Sequence, residues 1–296
     1  MIPFVREMAF EYGRCDAVSP LIRRVVARNP GPFTYLGTGT YIVGHGEVAV
    51  IDPGPDLPEH LDALLAALGG ERVTQILVTH DHADHSPLAR ALSEATGAPV
   101  AGLDRPSAPH IEGPTVEAGD DMAFRPDRRI TGGEVFSGPG WSLETIATPG
   151  HTGNHLCFAL AEENALFTGD HVMGWSTSVV VPPDGDMADY LASLRLVQAR
   201  EFATLWPTHG PPVTDPAPFL AAYIEHRLAR EAQVLRLLAE GHSRIPEMVT
   251  VAYRGVDKRL HPAAAQSMLA QLIKLVSEGR VATDGAPTLA SDYRLP

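Results

Sequence analysis

Cysteine is nearly missing from this 296-residue chain: Cys15 and Cys157 stand far apart and belong to no ligand-spaced motif. A disulfide framework and a cysteine-based metal module are thereby excluded, leaving either one lone bridge or two reduced thiols. Reduced thiols are the reading favoured here, and they suit a cytoplasmic protein. Long apolar runs are missing too. None approaches the roughly 18 residues a bilayer crossing needs, so no membrane partner is expected. The opening MIPFVREMAFEYGR carries Arg6, Glu7 and Glu11, and a signal peptide is not expected. Lysine is confined to Lys258 and Lys274. Internal repeats, low-complexity tracts and the GxSxG of a serine-hydrolase elbow are not found.

What is present reads as globular. Hydrophobic residues make up 44% and charged residues 20%, which excludes disorder. At roughly 100–200 residues per domain, the length allows one large domain or two modest ones. The net charge of −13 is unevenly spread. Residues 216–296 hold ten basic and eight acidic side chains, net +2, so residues 1–215 hold 13 basic and 28 acidic, net −15. An acidic body of that size repels polyanions and argues against a broad nucleic-acid surface.

Periodicity predicts strands over 20–28, 40–44 and 47–52, the last two joined by His45-Gly46 as a hairpin. Helical spacing over 58–68 stops at Gly69-Gly70. A buried strand over 72–80, a helix over 88–97 and a strand over 99–103 complete a layered α/β pattern. Residues 104–140 read as loop with short strands. Further strands are predicted over 142–151, 155–162, 165–172 and 203–210, with a helix over 187–200. Pro211–Pro218 then marks a boundary between a domain of residues 1–215 and one of 216–296. The second holds helices over 219–241, 245–254 and 261–279 and a small wing over 280–285, a winged-helix-like module.

The chemistry concentrates in THDHADH (79–85), which supplies His80, His82, Asp84 and His85 where a buried strand gives way to a helix. On an extended exit, His80 and His82 point the same way, because side chains alternate with period two. Asp84 and His85, at the turn, aim at a second point. Such N/O donors suit zinc, iron or manganese. Three more ligand types follow at strand ends, each in a glycine-containing turn: His151 in TPGHTGNH, Asp170 in LFTGDHV and His209 in PTHGPP. Glycine lets the backbone pass close to a crowded centre.

THDHADH, PGHT, GD and THG, with the Asp52 turn of VIDPG, resemble the five signature elements of the metallo-β-lactamase superfamily over about residues 34–212. The resemblance implies an αββα sandwich, two β-sheets between helix layers, with metals at the sheet edges. It implies one metal on His80, His82 and His151 and a second on Asp84, His85 and His209, with Asp170 bridging. Asp52 would support the THDHADH loop without touching metal. The cofactor expected is two Zn2+, with Mn or Fe also suited. A hydroxide bridging the metals would be the nucleophile, oriented by Asp84 as the catalytic carboxylate that takes its proton. The tail narrows the resemblance: YIEHR, with Tyr223, His226 and Arg227, and the winged-helix-like end are similar to the lactamase-beta-two-like branch, which includes endoribonucleases.

Substrate contacts are expected from Asn154, His171, Trp175 and Thr177, which stand just beyond ligands. His155 is balanced between supporting a ligand or contacting substrate, on one side, and strand polarity on the other, and Arg125, Arg128 and Arg129 read as a solvated basic patch. Two functions compete within the hydrolase class: attack on a small acyl compound (thioester, lactone, ester or lactam), and cleavage of single-stranded RNA. A redox protein or a DNA reader is disfavoured, the latter because the last helix offers only Lys274 and Arg280 as cations. The extra signatures of dedicated RNA-processing branches are not found, so the acyl substrate is preferred. Intramolecular packing or a homodimer is the role expected of the tail.

Overall fold

The computed structural model describes residues 1–104, 119–255 and 257–296. The loop assignment over 105–118 lies outside the described residues. Strands β1 (Cys15–Ala17), β2 (Ile22–Val26), β3 (Gly39–Val43) and β4 (Glu47–Ile51) form an antiparallel meander. Helix α1 (Pro58–Leu68) then crosses over to β5 (Arg72–Leu77), and α2 (Leu88–Thr96) to β6 (Val100–Gly102). With β7 (Arg128–Arg129) these add parallel strands, giving a seven-stranded sheet in chain order. Parallel neighbours need such crossovers, whereas the meander does not. Proline opens α1, and Gly69, at φ +58°, ends it by donating to Leu65 O.

The second sheet holds β8 (Val135–Gly138), β9 (Trp141–Ala147), β10 (Leu156–Leu160), β11 (Ala165–Gly169) and β12 (Thr204–Pro207), ordered β12-β11-β10-β9-β8. Helix α3 (Met187–Ala199) connects β11 to β12 in parallel, and Asp186 caps it by accepting from the N–H groups of Ala188 and Asp189. Tyr41, Ile51, Leu77, Leu143, Phe158 and Phe167 fill the space between the sheets. The outer face of the first sheet packs Ile42, Val50 and Ile76 on Leu64 and Leu92 of α1 and α2. On the second sheet, Cys157 and Leu166 meet Tyr190 and Leu194 of α3. This is the expected αββα sandwich.

Helix α4 (Pro216–Ala239) belongs to two cores. Its Phe219, Leu220 and Tyr223 pack with α3, while Val234, Leu237 and Leu238 pack with α5 (Ile245–Ala252), α6 (His261–Ser277) and Tyr293. Strands β13 (Ala282–Thr283) and β14 (Tyr293–Arg294) form the wing. Ala270 of α6 also joins the α3 core, so the tail packs within its own chain. The hairpin differs from the sequence reading: three residues, 44–46, join β3 to β4. Gly44 has φ +93°, and a Cβ there would stand 2.3 Å from the Trp141 ring, so packing against the second sheet draws it into the loop. Both cysteines are free, and among the described residues no helix is long and apolar enough to cross a membrane.

Candidate metal centre

The site forms where strands of both sheets end. Asp52 follows β4 with a left-handed backbone at φ +49°, and its side chain is fully buried. One oxygen accepts from Thr79 N at 2.8 Å, while the other accepts from Thr79 Oγ1 at 2.8 Å and Thr208 Oγ1 at 2.9 Å. His85 Nδ1 lies 2.9 Å from that second oxygen. Asp52 thus ties the end of β5 to the end of β12 and fixes which nitrogen of His85 faces inward.

His80, His82, Asp84, His85, His151, Asp170 and His209 are all buried and converge in one place. Potential ligand atoms lie within 4.8 Å of one another in the groups His80–His82–His151, His80–His85–Asp170 and Asp84–His85–His209. In the first group, His82 Nδ1 stands 2.9 Å from His80 Nε2 and 3.3 Å from His151 Nε2. In the last, His209 Nε2 stands 3.1 Å from Asp84 Oδ2. Asp170 lies between the two: Oδ1 is 3.4 Å from His209 Nε2 and 3.6 Å from His85 Nε2, and Oδ2 is 3.9 Å from His151 Nε2.

Electrostatics divides the cluster. Burial opposes charge on His85, yet Asp84, Asp170 and Asp52 hold it protonated well above its ordinary value. Burial likewise opposes charge on His209, but Asp170 and Asp84 carry its pKa from 6.5 to about 10. Asp84, despite its burial, is held down to about 2 by His85 and His209, and the same two histidines keep Asp170 well below the carboxylate range. His80 is driven well below its ordinary value by burial and by the neighbouring histidines. Metal fits these residues: His85 Nε2, His209 Nε2 and Asp170 Oδ1 are buried and make no well-aligned hydrogen bond, approaching one another only at ion-pair distances of 3.4 and 3.6 Å, so their lone pairs are poorly satisfied by the protein alone.

A pH consequence follows. In the metal-free protein, the stabilisation from charged His209 is full below about 6.5 and is lost as pH rises through about 10. That from Asp84 is full above 3.8 and is lost as pH falls through about 2. Metal must displace the protons of His85 and His209, so loading near pH 7 should release about two protons per chain. Calorimetric titration in buffers of different protonation enthalpy measures this; no release would contradict the paired ground state.

The remaining sequence-predicted residues occupy the surroundings. Asn154 is buried and donates to Leu103 O at 2.8 Å. His171 is fully buried against the Tyr190 ring, and burial lowers its pKa to about 3. Trp175 stacks on Tyr35 at 4.7 Å; both border Gly210, the neighbour of His209. Thr177 is half-buried. Arg128 covers the Phe136 ring, Arg129 pairs with Asp104, and Arg125 donates to Met122 O and Phe124 O.

Sequence reasoning left His155 undecided and missed several other participants. His155 Nε2 accepts from the N–H of Asp170 at 3.2 Å, and a Cβ on Gly169 would come within 2.7 Å of it, which is why glycine precedes Asp170. Asp120 Oδ1 lies 3.7 Å from His82 Nε2, Val179 O lies 2.7 Å from His151 Nδ1, and Gly37 O lies 3.3 Å from His209 Nδ1. Apart from His155 itself, only the glycine of GD pointed toward any of these.

Comparison with known proteins agrees with this geometry. Residues 35–209 match the family model described as metallo-beta-lactamase superfamily, and residues 245–288 match a beta-lactamase associated winged helix domain. An atrochrysone carboxyl ACP thioesterase of Aspergillus terreus (strain NIH 2624 / FGSC A1156) is 33% identical, over 90% of this chain and 83% of its own. A beta-lactamase-like protein 2 homolog of Caenorhabditis elegans is 30% identical, over 90% of this chain and 88% of its own. Among solved structures, a beta-lactamase domain protein from Burkholderia ambifaria superposes with TM-score 0.77 at 19% identity, covering 100% of this chain and 97% of its own.

Proposed function

As the chain belongs to the metallo-β-lactamase superfamily, we propose that it is a binuclear metal-dependent hydrolase of small acyl substrates, thioesters foremost. One observation carries the reading: Asp170 faces both ligand groups, and its buried Oδ1 stands 3.4 and 3.6 Å from two histidine nitrogens with which it makes no well-aligned hydrogen bond. His80, His82 and His151 would hold one ion and Asp84, His85 and His209 the other, with Asp170 shared. Zinc is the ion proposed, with manganese or iron also suited to such donors. When bound, such ions supply a water activated near pH 7 and a Lewis acid for the carbonyl.

The chain's own residues do the rest. Asp84, kept ionised by His85 and His209, orients the attacking water and accepts its proton. Asp52 keeps the inward nitrogen of His85 unprotonated once the ion is in place. Trp175 and Tyr35 stand beside Gly210, next to His209, where they would border a substrate. The thioester preference is supported by relatives named as ACP thioesterases, which align over most of this chain. The tail supports it too: Lys274 and Arg280 both pair with the buried Glu231, which offsets the charge a phosphate backbone would seek there. The two free thiols support a cytoplasmic setting.

The test is a panel of thioesters, lactones, esters, a β-lactam and single-stranded RNA, assayed on metal-loaded protein. Thioester turnover should disappear with a chelator, return with metal and change little with salt. Metal-dependent RNA cleavage that His82→Ala abolishes, falling by roughly 0.7 log units per phosphate contact per decade of salt, would overturn the substrate class.

A further inference from the structure

The loop between β11 and α3 carries a contact that reaches the metal centre from the tail. Val179 O accepts a hydrogen bond from His151 Nδ1 at 2.7 Å. Nδ1 can donate only when it carries the proton, which leaves the Nε2 lone pair facing His82. The position of that carbonyl therefore fixes both the tautomer and the aim of His151.

The preceding residue is held by α4 from both sides. Ser178 N–H donates to Tyr223 Oη at 2.5 Å, and Ser178 O accepts from a terminal nitrogen of Arg227. All three residues are at least nine-tenths buried. The Arg227 guanidinium sits 5.0 Å from the Tyr190 ring centre and 5.7 Å from that of Tyr223. Among the described residues it meets no carboxylate, and its Nε has no partner. A buried cation without a counter-ion is costly, and an apolar residue would pack α4 on the sandwich at less cost. What arginine adds here is a directed grip on one carbonyl.

We propose that Tyr223 and Arg227 are positioning residues for His151, an inference that rests on the metal-hydrolase reading. The clamp acts on one ligand group. The carbonyl beside Asp170, that of His171, accepts both from Ser178 Oγ at 3.0 Å and from Tyr190 Oη at 2.7 Å, so it keeps an anchor when Ser178 loosens. The carbonyl that His151 Nδ1 reaches is that of Val179, next to the clamped peptide. The tail thus reaches into the site, and a cut after residue 215 would remove the clamp.

The experiment uses the full chain loaded with Zn2+, as wild type and as Arg227→Met, Tyr223→Phe and Arg227→Lys. Metal is competed off with a chelator, and the His151 imidazole is followed by long-range 1H–15N NMR. Wild type should hold two equivalents. Arg227→Met and Tyr223→Phe should weaken one equivalent by about 10–100-fold, the usual effect of removing a ligand's orienting partner, and leave the other nearly unchanged. The Nδ1–H signal of His151 should be lost or moved, and Arg227→Lys, which keeps a donor, should restore part of both. Equal weakening of the two equivalents, or a lower melting temperature with unchanged metal affinity and unchanged His151 signal, overturns the proposal. If Arg227→Met does not fold, Tyr223→Phe, which deletes a single oxygen, decides. Wild type that takes up no metal overturns the hydrolase reading instead, and the His151 signal in wild type and Tyr223→Phe still decides the positioning.

Discussion

Asp84→Asn is expected to lower turnover by about 10²–10⁴-fold in a protein that stays folded, the range typical for loss of a positioned proton acceptor. The amide fills the same space within the cluster, so packing is preserved. It cannot accept a proton and is a poor donor to a cation. Its loss is also felt by His209, whose raised pKa depends on Asp170 first and then on Asp84. The metal-free variant should therefore release fewer protons on loading than wild type. Circular dichroism, metal analysis and steady-state kinetics together test this. A folded variant with near-wild-type kcat removes Asp84 from the chemistry.

The largest effect on stability is expected from Asp52→Ala. Asp52 is fully buried and gathers Thr79 N, Thr79 Oγ1, Thr208 Oγ1 and His85 Nδ1. Alanine takes the acceptor from all four, and of these Thr79 Oγ1 keeps His80 Nδ1 at 3.0 Å as a neighbour. Breaking a buried charged pair in this way costs about 3–5 kcal/mol. Set against a total of about 5–15 kcal/mol for an ordinary domain, that loss leaves little margin. Urea unfolding of the metal-free proteins should show the midpoint fall accordingly, with Asp52→Asn in between. A shift below about 0.5 kcal/mol, as at an ordinary surface site, would deny Asp52 its bracing part.

Much of this was legible in the sequence because metal ligation needs particular side chains at strand ends, and strand ends are marked locally. The run His80, His82, Asp84, His85 sits in one segment, and His151, Asp170 and His209 each stand beside glycine. The layered fold was legible for a similar reason: period two and period 3.6 report which face of each element is apolar. The clamp was not legible. Tyr223 and Arg227 stood out as tail residues, but nothing within the helix tells that their partner is a peptide 45 residues and more away. His155 was undecided for the same reason, since its role depends on a backbone N–H from the next strand. Main-chain groups have no identity in a sequence, so contacts made to them become visible only when the sheets close.

The hydrogen bond from Thr208 to Asp52 spans 156 positions, and that span has a kinetic meaning. A ribosome adding about 5–20 residues per second separates the two by roughly 8–30 s. Until β8 to β11 are made, the first sheet presents Tyr41, Ile51 and Leu77 without the strands that cover them, and Asp52 lacks its last donor to the end of the interval. Contacts this distant carry a loop-closure cost that must be met before they reward the chain, which makes folding slow. Completion of the centre is therefore a late event in the life of the nascent chain, and a metal taken up there would meet a sandwich that has already closed.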